Sequence, residues 1–151
     1  MRLKSSKKAT VKLAEYPYRF AEDRYYNKPC IIVPIVTSER REYIPIGFNN
    51  DSSVIYASAQ AIYNPPSYIF AIISSKMHMT WVRTVAGRLE DRLRYSSSLC
   101  YNTFPFPEIT DSQKTTLEDH VFKVLDEREL HPEKTMAQLY DPDKMPEGLR
   151  Q

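Results

Sequence analysis

Residues 74–107 (SSKMHMTWVRTVAGRLEDRLRYSSSLCYNTFPFP) constrain the fold more than any other stretch. At about 100° per residue, Met77, Trp81, Val82, Val85, Ala86 and Leu89 fall in one apolar arc, with Lys76, Thr80, Arg83 and Gly87 opposite. That spacing predicts a helix with one buried face. It should end near Gly87, because Arg88 and Arg92 would otherwise return to the apolar side. Trp81 at the centre of the arc is expected to be structural, and His78 within it to be a hydrogen-bonded core histidine. Beyond the helix, LEDRLRYSSSLCYN reads as a non-helical segment rich in Arg, Tyr, Ser and Asn, closed by a rigid Asn-Thr-Phe-Pro-Phe-Pro. A packed helix delivering such a loop to a surface suits recognition more than catalysis.

The preceding segments supply a sheet. KPCIIVPIVTS (28–38) is β-branched and interrupted by Pro34, which predicts an edge strand. The charged turn Glu39-Arg-Arg-Glu42 leads into a second strand, YIPIGF (43–48), and SVIYASA (53–59) should pair as a third. SYIFAIISS (67–75), the most apolar segment, is the candidate central strand. The expected fold class is α+β: a small antiparallel sheet with a packed central helix, followed by a helical C-terminal appendage. Residues 1–107 are expected to form the first unit, incomplete at its N-terminus, and 108–151 a helical spacer or docking segment. In the latter, Thr110-Asp-Ser-Gln113 and Thr135-Met-Ala-Gln138 carry the capping-box signature of a longer and a shorter helix. At the other end, residues 1–15 read either as a solvated lead-in or as a phosphate-contacting arm, anchored by Tyr16-Pro-Tyr-Arg-Phe20.

The net charge of +2 conceals a division. Residues 1–107 carry fifteen Lys and Arg against eight Asp and Glu, while 108–151 carry six against eleven. A basic body with an acidic tail points to a polyanion as partner of the first part. Cys30 and Cys100 form no metal or redox motif and read as buried thiols. No apolar run reaches the length of a membrane span and no signal-peptide pattern opens the chain, so the expectation is a cytoplasmic protein without a membrane partner. The ends give the sequence the look of an excised fragment. Lys76, Arg40, Arg41, Arg83, Arg88, Arg92, Arg94, Tyr95, Ser96 and Asn102 are the candidate DNA-binding residues. Arginine can grip guanine or phosphate with two donors, and asparagine can do the same to adenine.

One stretch invites a catalytic reading. Asn64-Pro65-Pro66 matches the start of the motif with which amino-group DNA methyltransferases hold an extruded base. The stacking aromatic, however, should occupy position 67, where Ser stands, and Tyr68 comes one place late. A methyl donor would also require a glycine-rich turn after a strand, whereas Gly47, Gly87 and Gly148 are isolated. A Pro-Pro turn explains the stretch as well. A protein-interaction or oligomerisation module, resting on the acidic helical tail, is a third reading.

Ser38-Glu-Arg-Arg with YIPIGF, SSKMHMTWVRTVAGRL, RYSSSLCYNTFPFPEI and VLDERELHPEKTMAQLYDPDKMPEGLR together resemble the C-terminal region of MmeI-like (type IIG/IIL) restriction–modification enzymes. The resemblance extends from about Ala9 to Arg150. It implies a target recognition domain and the start of a C-terminal helical region from a bacterial adenine-N6 DNA methyltransferase. Duplex DNA and an upstream methyltransferase domain of the same chain would be the partners. S-adenosylmethionine, and Mg if a nuclease is present, would serve the parent chain, with no cofactor or metal in this segment. It also implies that Asn64-Pro65-Pro66 is not the catalytic motif.

Overall fold

A computed structural model describes residues 2–19, 26–50 and 53–150. Two three-stranded antiparallel sheets form its centre. The first has β1 (Cys30–Pro34) between β3 (Gly47–Asn49) and β4 (Ala59–Tyr63); the second has β6 (Arg92–Arg94) between β2 (Val36–Ser38) and β5 (Gly87–Leu89). Ile35 joins them. Its N–H donates to the Ser58 carbonyl at 3.0 Å and its carbonyl accepts from the Tyr95 N–H at 2.7 Å. One strand thus leaves the first sheet at Pro34, which has no N–H to donate, and enters the second two residues later.

The α+β class is as expected, and several details differ. β1 is the central strand of its sheet rather than an edge. In 43–48, Ile44 and Ile46 are buried, but Pro45 interrupts the donors and ladder pairing begins only at Gly47. The third strand is Ala59–Tyr63, beginning where the expected one ends, and it stops at Asn64, whose φ of 48° breaks the extended run. SYIFAIISS is not a strand. It forms helix α2 (Ser67–Ser74), started by Pro66 at the N-cap, with Phe70, Ile72 and Ile73 buried. The apolar run is nearly continuous, so periodicity cannot separate helix from strand, and the Pro-Pro entry decides for helix.

Helix α3 (Lys76–Val85) follows directly. Ser75 ends α2 and caps α3, its Oγ accepting from the His78 N–H at 3.2 Å. The buried face is His78, Met79 and Val82, whereas Met77 is 55% exposed and Trp81 half-buried, edge-on to Phe104. The apolar arc is therefore rotated from the one centred on Trp81. Leu89 lies outside the helix. Gly87 does not act as a left-handed cap but opens β5, and the positive φ falls instead on Glu90 (57°) in the β5–β6 turn. A π-helical turn, Ser97–Tyr101, completes the segment expected to be irregular.

Both capping boxes are formed, at α4 (Asp111–Glu129) and α5 (Met136–Leu139). Val121 of α4 joins the core made by Ile31, Val33, Ile46, Phe70, Val82 and Leu93, so the helix is packed on the body through α2. A smaller cluster of Leu139, Tyr140, Met145 and Leu149 packs on Tyr43 and Val124. Arg128 ties the two together. It donates to the Tyr140 hydroxyl and to the Ile46 carbonyl (3.0 Å), with its guanidinium 5.3 Å from the Phe70 ring centre. At the N-terminus, helix α1 (Lys8–Lys12) lies between short 3-10 turns. Tyr18 is 97% exposed, so its ring does not form the expected anchor; Tyr16 is mostly exposed, and Phe20 lies outside the described residues.

Candidate nucleic-acid interface

The turn after β2, Glu39–Glu42, is held from three directions. From α3, Arg83 Nη2 donates to the carbonyl oxygens of Glu39 (3.3 Å) and Arg41 (2.8 Å). From β5, Arg88 pairs with the Glu39 carboxylate at 2.6 Å. Lys76 at the start of α3 pairs with Glu42 at 3.1 Å, and its ammonium lies 5.5 Å from the Tyr43 ring centre. The hydrogen bond and charge of Lys76 hold the Glu42 carboxyl below its usual pKa, and the Glu42 hydrogen bond raises that of Lys76. The C-terminal segment closes the third side, with Asp143 pairing with Arg40 (2.9 Å) and Arg150 Nη1 lying 3.9 Å from Glu42.

Five expected site residues, Arg40, Arg41, Lys76, Arg83 and Arg88, are thus gathered at one turn 38–42 and its supports. They are not equivalent. Arg41 turns back onto the fold, donating to the buried Thr37 hydroxyl (3.2 Å) and towards the Ala137 carbonyl (3.5 Å). Arg40 points outwards, with its side chain 67% exposed.

The remaining candidates lie on the second sheet and after it. β6 sets Arg92 and Arg94 opposite Leu89 and Gly87 on one side, and opposite Ser38 and Val36 on the other. Because side chains alternate along a strand, Arg92 and Arg94 share the outer face, while Leu93 between them is fully buried. Arg92 pairs with Glu90 at 2.7 Å. The Arg94 side chain is exposed and makes no hydrogen bond or ion pair among the described residues. By the same register Arg88 points with Leu93 and Thr37, opposite to Arg94, so the basic residues divide between the turn and the outer sheet face.

Tyr95 must be withdrawn as a DNA contact. Its side chain is 2% exposed, and its hydroxyl shares a 3.1 Å hydrogen bond with Nε2 of the fully buried His78. Burial lowers the His78 pKa to about 4 and pushes the Tyr95 phenol up. The expectation of a hydrogen-bonded core histidine is met, with the tyrosine as its partner. Ser96 bonds Ser98 at 2.9 Å on the exposed side of the π-helical turn. Asn102 is exposed at the rim of a cleft of about 660 Å³ that Tyr26, Tyr56, Tyr63 and Tyr101 also line.

Sequence reasoning missed the acidic and C-terminal partners of the turn: Glu39, Glu42, Asp143 and Arg150. The local Glu-Arg-Arg-Glu run was a signal for the first two, since opposite charges so placed pair readily. Nothing local marks Asp143, 103 residues from Arg40. Among the described residues no cluster of metal-ligating side chains occurs, and no helix is long and apolar enough to cross a membrane.

An exposed antiparallel β-face bearing arginines beside a braced basic turn defines a small α+β binding module. Residues 1–108 match the family model described as the MmeI target recognition domain, and residues 109–151 the one described as the MmeI C-terminal domain. The chain belongs to the MmeI target recognition domain family. It is 42% identical over 149 residues to DNA methyltransferase A of Bacillus subtilis (strain 168), covering 99% of this chain and 17% of that protein. It also superposes on a structure of the type IIL restriction–modification enzyme MmeI in complex with DNA, with a TM-score of 0.93 and 39% identity, over 99% of this chain and 20% of that one. The chain therefore spans less than a quarter of either relative.

Proposed function

We propose that this chain is a duplex-DNA recognition module that directs a bacterial restriction–modification adenine-N6 methyltransferase, in one parent polypeptide, to its site. The carrying observation is the outer face of β2–β6–β5, where the Arg94 side chain stands exposed and, among the described residues, unpaired in a chain of a target recognition family. Arginines on such an exposed face can reach base edges while others hold phosphates. In this reading Arg40, Arg83, Arg88 and Lys76 meet the DNA backbone, and Ser96 and Asn102 extend the surface past β6. Arg41 supports the turn from within.

Methyl transfer belongs to the rest of the parent in this reading. The described loops offer no glycine-rich turn between strand and helix for S-adenosylmethionine, and the β4–α2 connection is Asn64-Pro65-Pro66 with Asn64 in a left-handed turn. A cytoplasmic setting, an upstream methyltransferase partner and Mg for any accompanying nuclease complete the proposal. Fluorescence anisotropy of the parent with cognate and scrambled duplexes over a salt series tests it. Tighter cognate binding with a steep log–log salt slope is expected. Equal, salt-insensitive affinities would remove the proposal.

A further inference from the structure

We propose that Asp143 is a specificity-determining residue: it holds Arg40 away from non-cognate phosphates, so that the C-terminal segment tunes what the recognition turn will bind. The inference rests on the duplex-DNA reading above and extends it to a residue outside the recognition domain match.

The geometry is specific. Four cations, Arg40, Lys76, Arg88 and Arg150, pair with three carboxylates, Glu39, Glu42 and Asp143, while Arg83 bonds the backbone of the turn and Arg41 the Thr37 hydroxyl. Two of the carboxylates come from the turn itself; Asp143 comes from the other end of the chain. Its backbone is fixed. The Asp143 N–H donates to the Asp141 carboxylate at 2.9 Å, the Met145 N–H to the Asp141 carbonyl at 2.8 Å, and Arg150 donates to the Pro142 carbonyl. Met145 anchors the turn by burying its side chain beside Leu139, Tyr140 and Leu149. With its backbone fixed in this way, Asp143 offers Arg40 a carboxylate at a defined position.

The Arg40–Asp143 pair is 67% and 68% exposed on its two sides. Such a pair adds little to folding stability, because water screens it. It still has to be broken before Arg40 can grip a phosphate with both donors. A duplex that seats badly on the β2–β6–β5 face gains too little elsewhere to break it, whereas a cognate duplex gains enough. Asp143 then lowers non-specific affinity more than cognate affinity. Repulsion between its carboxylate and the phosphates acts in the same direction.

The experiment compares the wild-type parent with Asp143→Asn, Arg40→Ala and the double variant, each titrated with random and cognate duplex across a salt series. Asp143→Asn should bind random duplex about two- to fivefold more tightly, with a smaller gain on cognate duplex. Its log–log salt slope on random duplex should steepen by about one, as one more cation is engaged. In the double variant most of the gain should vanish, since the freed group is Arg40. An unchanged or weakened random-duplex affinity in Asp143→Asn would overturn the inference. So would a gain that survives intact in the double variant, which would be simple charge removal. Wild type that binds no duplex would instead overturn the DNA reading, and this inference with it.

Discussion

Arg83 Nη2 lies 2.8 Å from the carbonyl oxygen of Arg41, so a helix side chain serves as the cap of a turn 42 residues away in sequence. The guanidinium also reaches the Glu39 carbonyl, bridging both ends of the turn that carries Arg40. Turn and helix are thereby locked in one geometry before any partner arrives, and little ordering remains to be done on binding.

Replacing Arg83 separates positioning from stability. Arg83→Ala should cost at most about 1.5 kcal/mol of folding free energy, because the bonds are solvent-exposed. Duplex affinity should fall by more than that, through loss of a cation and loosening of Arg40. Urea unfolding and anisotropy titration on the same samples check this, and unaltered DNA affinity would argue against a braced turn.

His78 predicts an acid-sensitive core. Its pKa falls from 6.5 in the unfolded chain to about 4 in the folded one because the ring is buried. The unfolded state therefore binds more protons between these values, and stability present above pH 6.5 is lost as the pH falls towards 4. The loss amounts to roughly 3 kcal/mol. Urea midpoints measured between pH 7.5 and 4.5 should fall accordingly, and His78→Phe should flatten that part of the profile. A flat profile in the wild type would mean that the ring is solvated.

Arg128 predicts a large effect from a helix-surface position. Arg128→Met would leave the Ile46 carbonyl and the Tyr140 hydroxyl without their donor and remove the cation over Phe70. A destabilisation of roughly 2–3 kcal/mol is expected. Thermal or urea unfolding measures it; a change below about 0.5 kcal/mol would show that water replaces the donor at no cost.

Much of this architecture could be read from local chemistry. The two capping boxes, the end of α3 before Gly87, the buried thiols and the core role of His78 follow from residues within a few positions of one another. The sheet assignments were harder for identifiable reasons. SYIFAIISS is apolar at nearly every position and carries no period, so the Pro-Pro entry was the sole local clue to a helix. The division into two sheets rests on Ile35 bonding Ser58 on one side and Tyr95 on the other, a long-range fact. Tyr95 stands between the polar Arg94 and Ser96, a setting that suggests the surface, yet strand alternation carries it inward with Leu93. The bracing of Arg40 by Asp143 depends on the C-terminal fold and has no local signature.

Arg94 offers the test of which contacts specify sequence. If it reads a guanine, Arg94→Ala should lose about 1–3 kcal/mol on cognate duplex alone; if it holds a phosphate, all duplexes weaken and the salt slope drops by about one. The outer-face position beside Val36 and Gly87 favours base reading, so the cognate-confined loss is the expected result. Wild-type affinity on both duplexes would place this face outside the interface.

In the proposed function the 151 residues choose the DNA sequence on which a parent methyltransferase acts. Exchanging this segment for its counterpart from a relative with a different site, and mapping methylated adenines by single-molecule sequencing, measures that directly. The methylated sequence should change to the donor's, in whole or in the part that this segment reads, with the activity retained. An active chimera that still methylates only the original site would contradict the account.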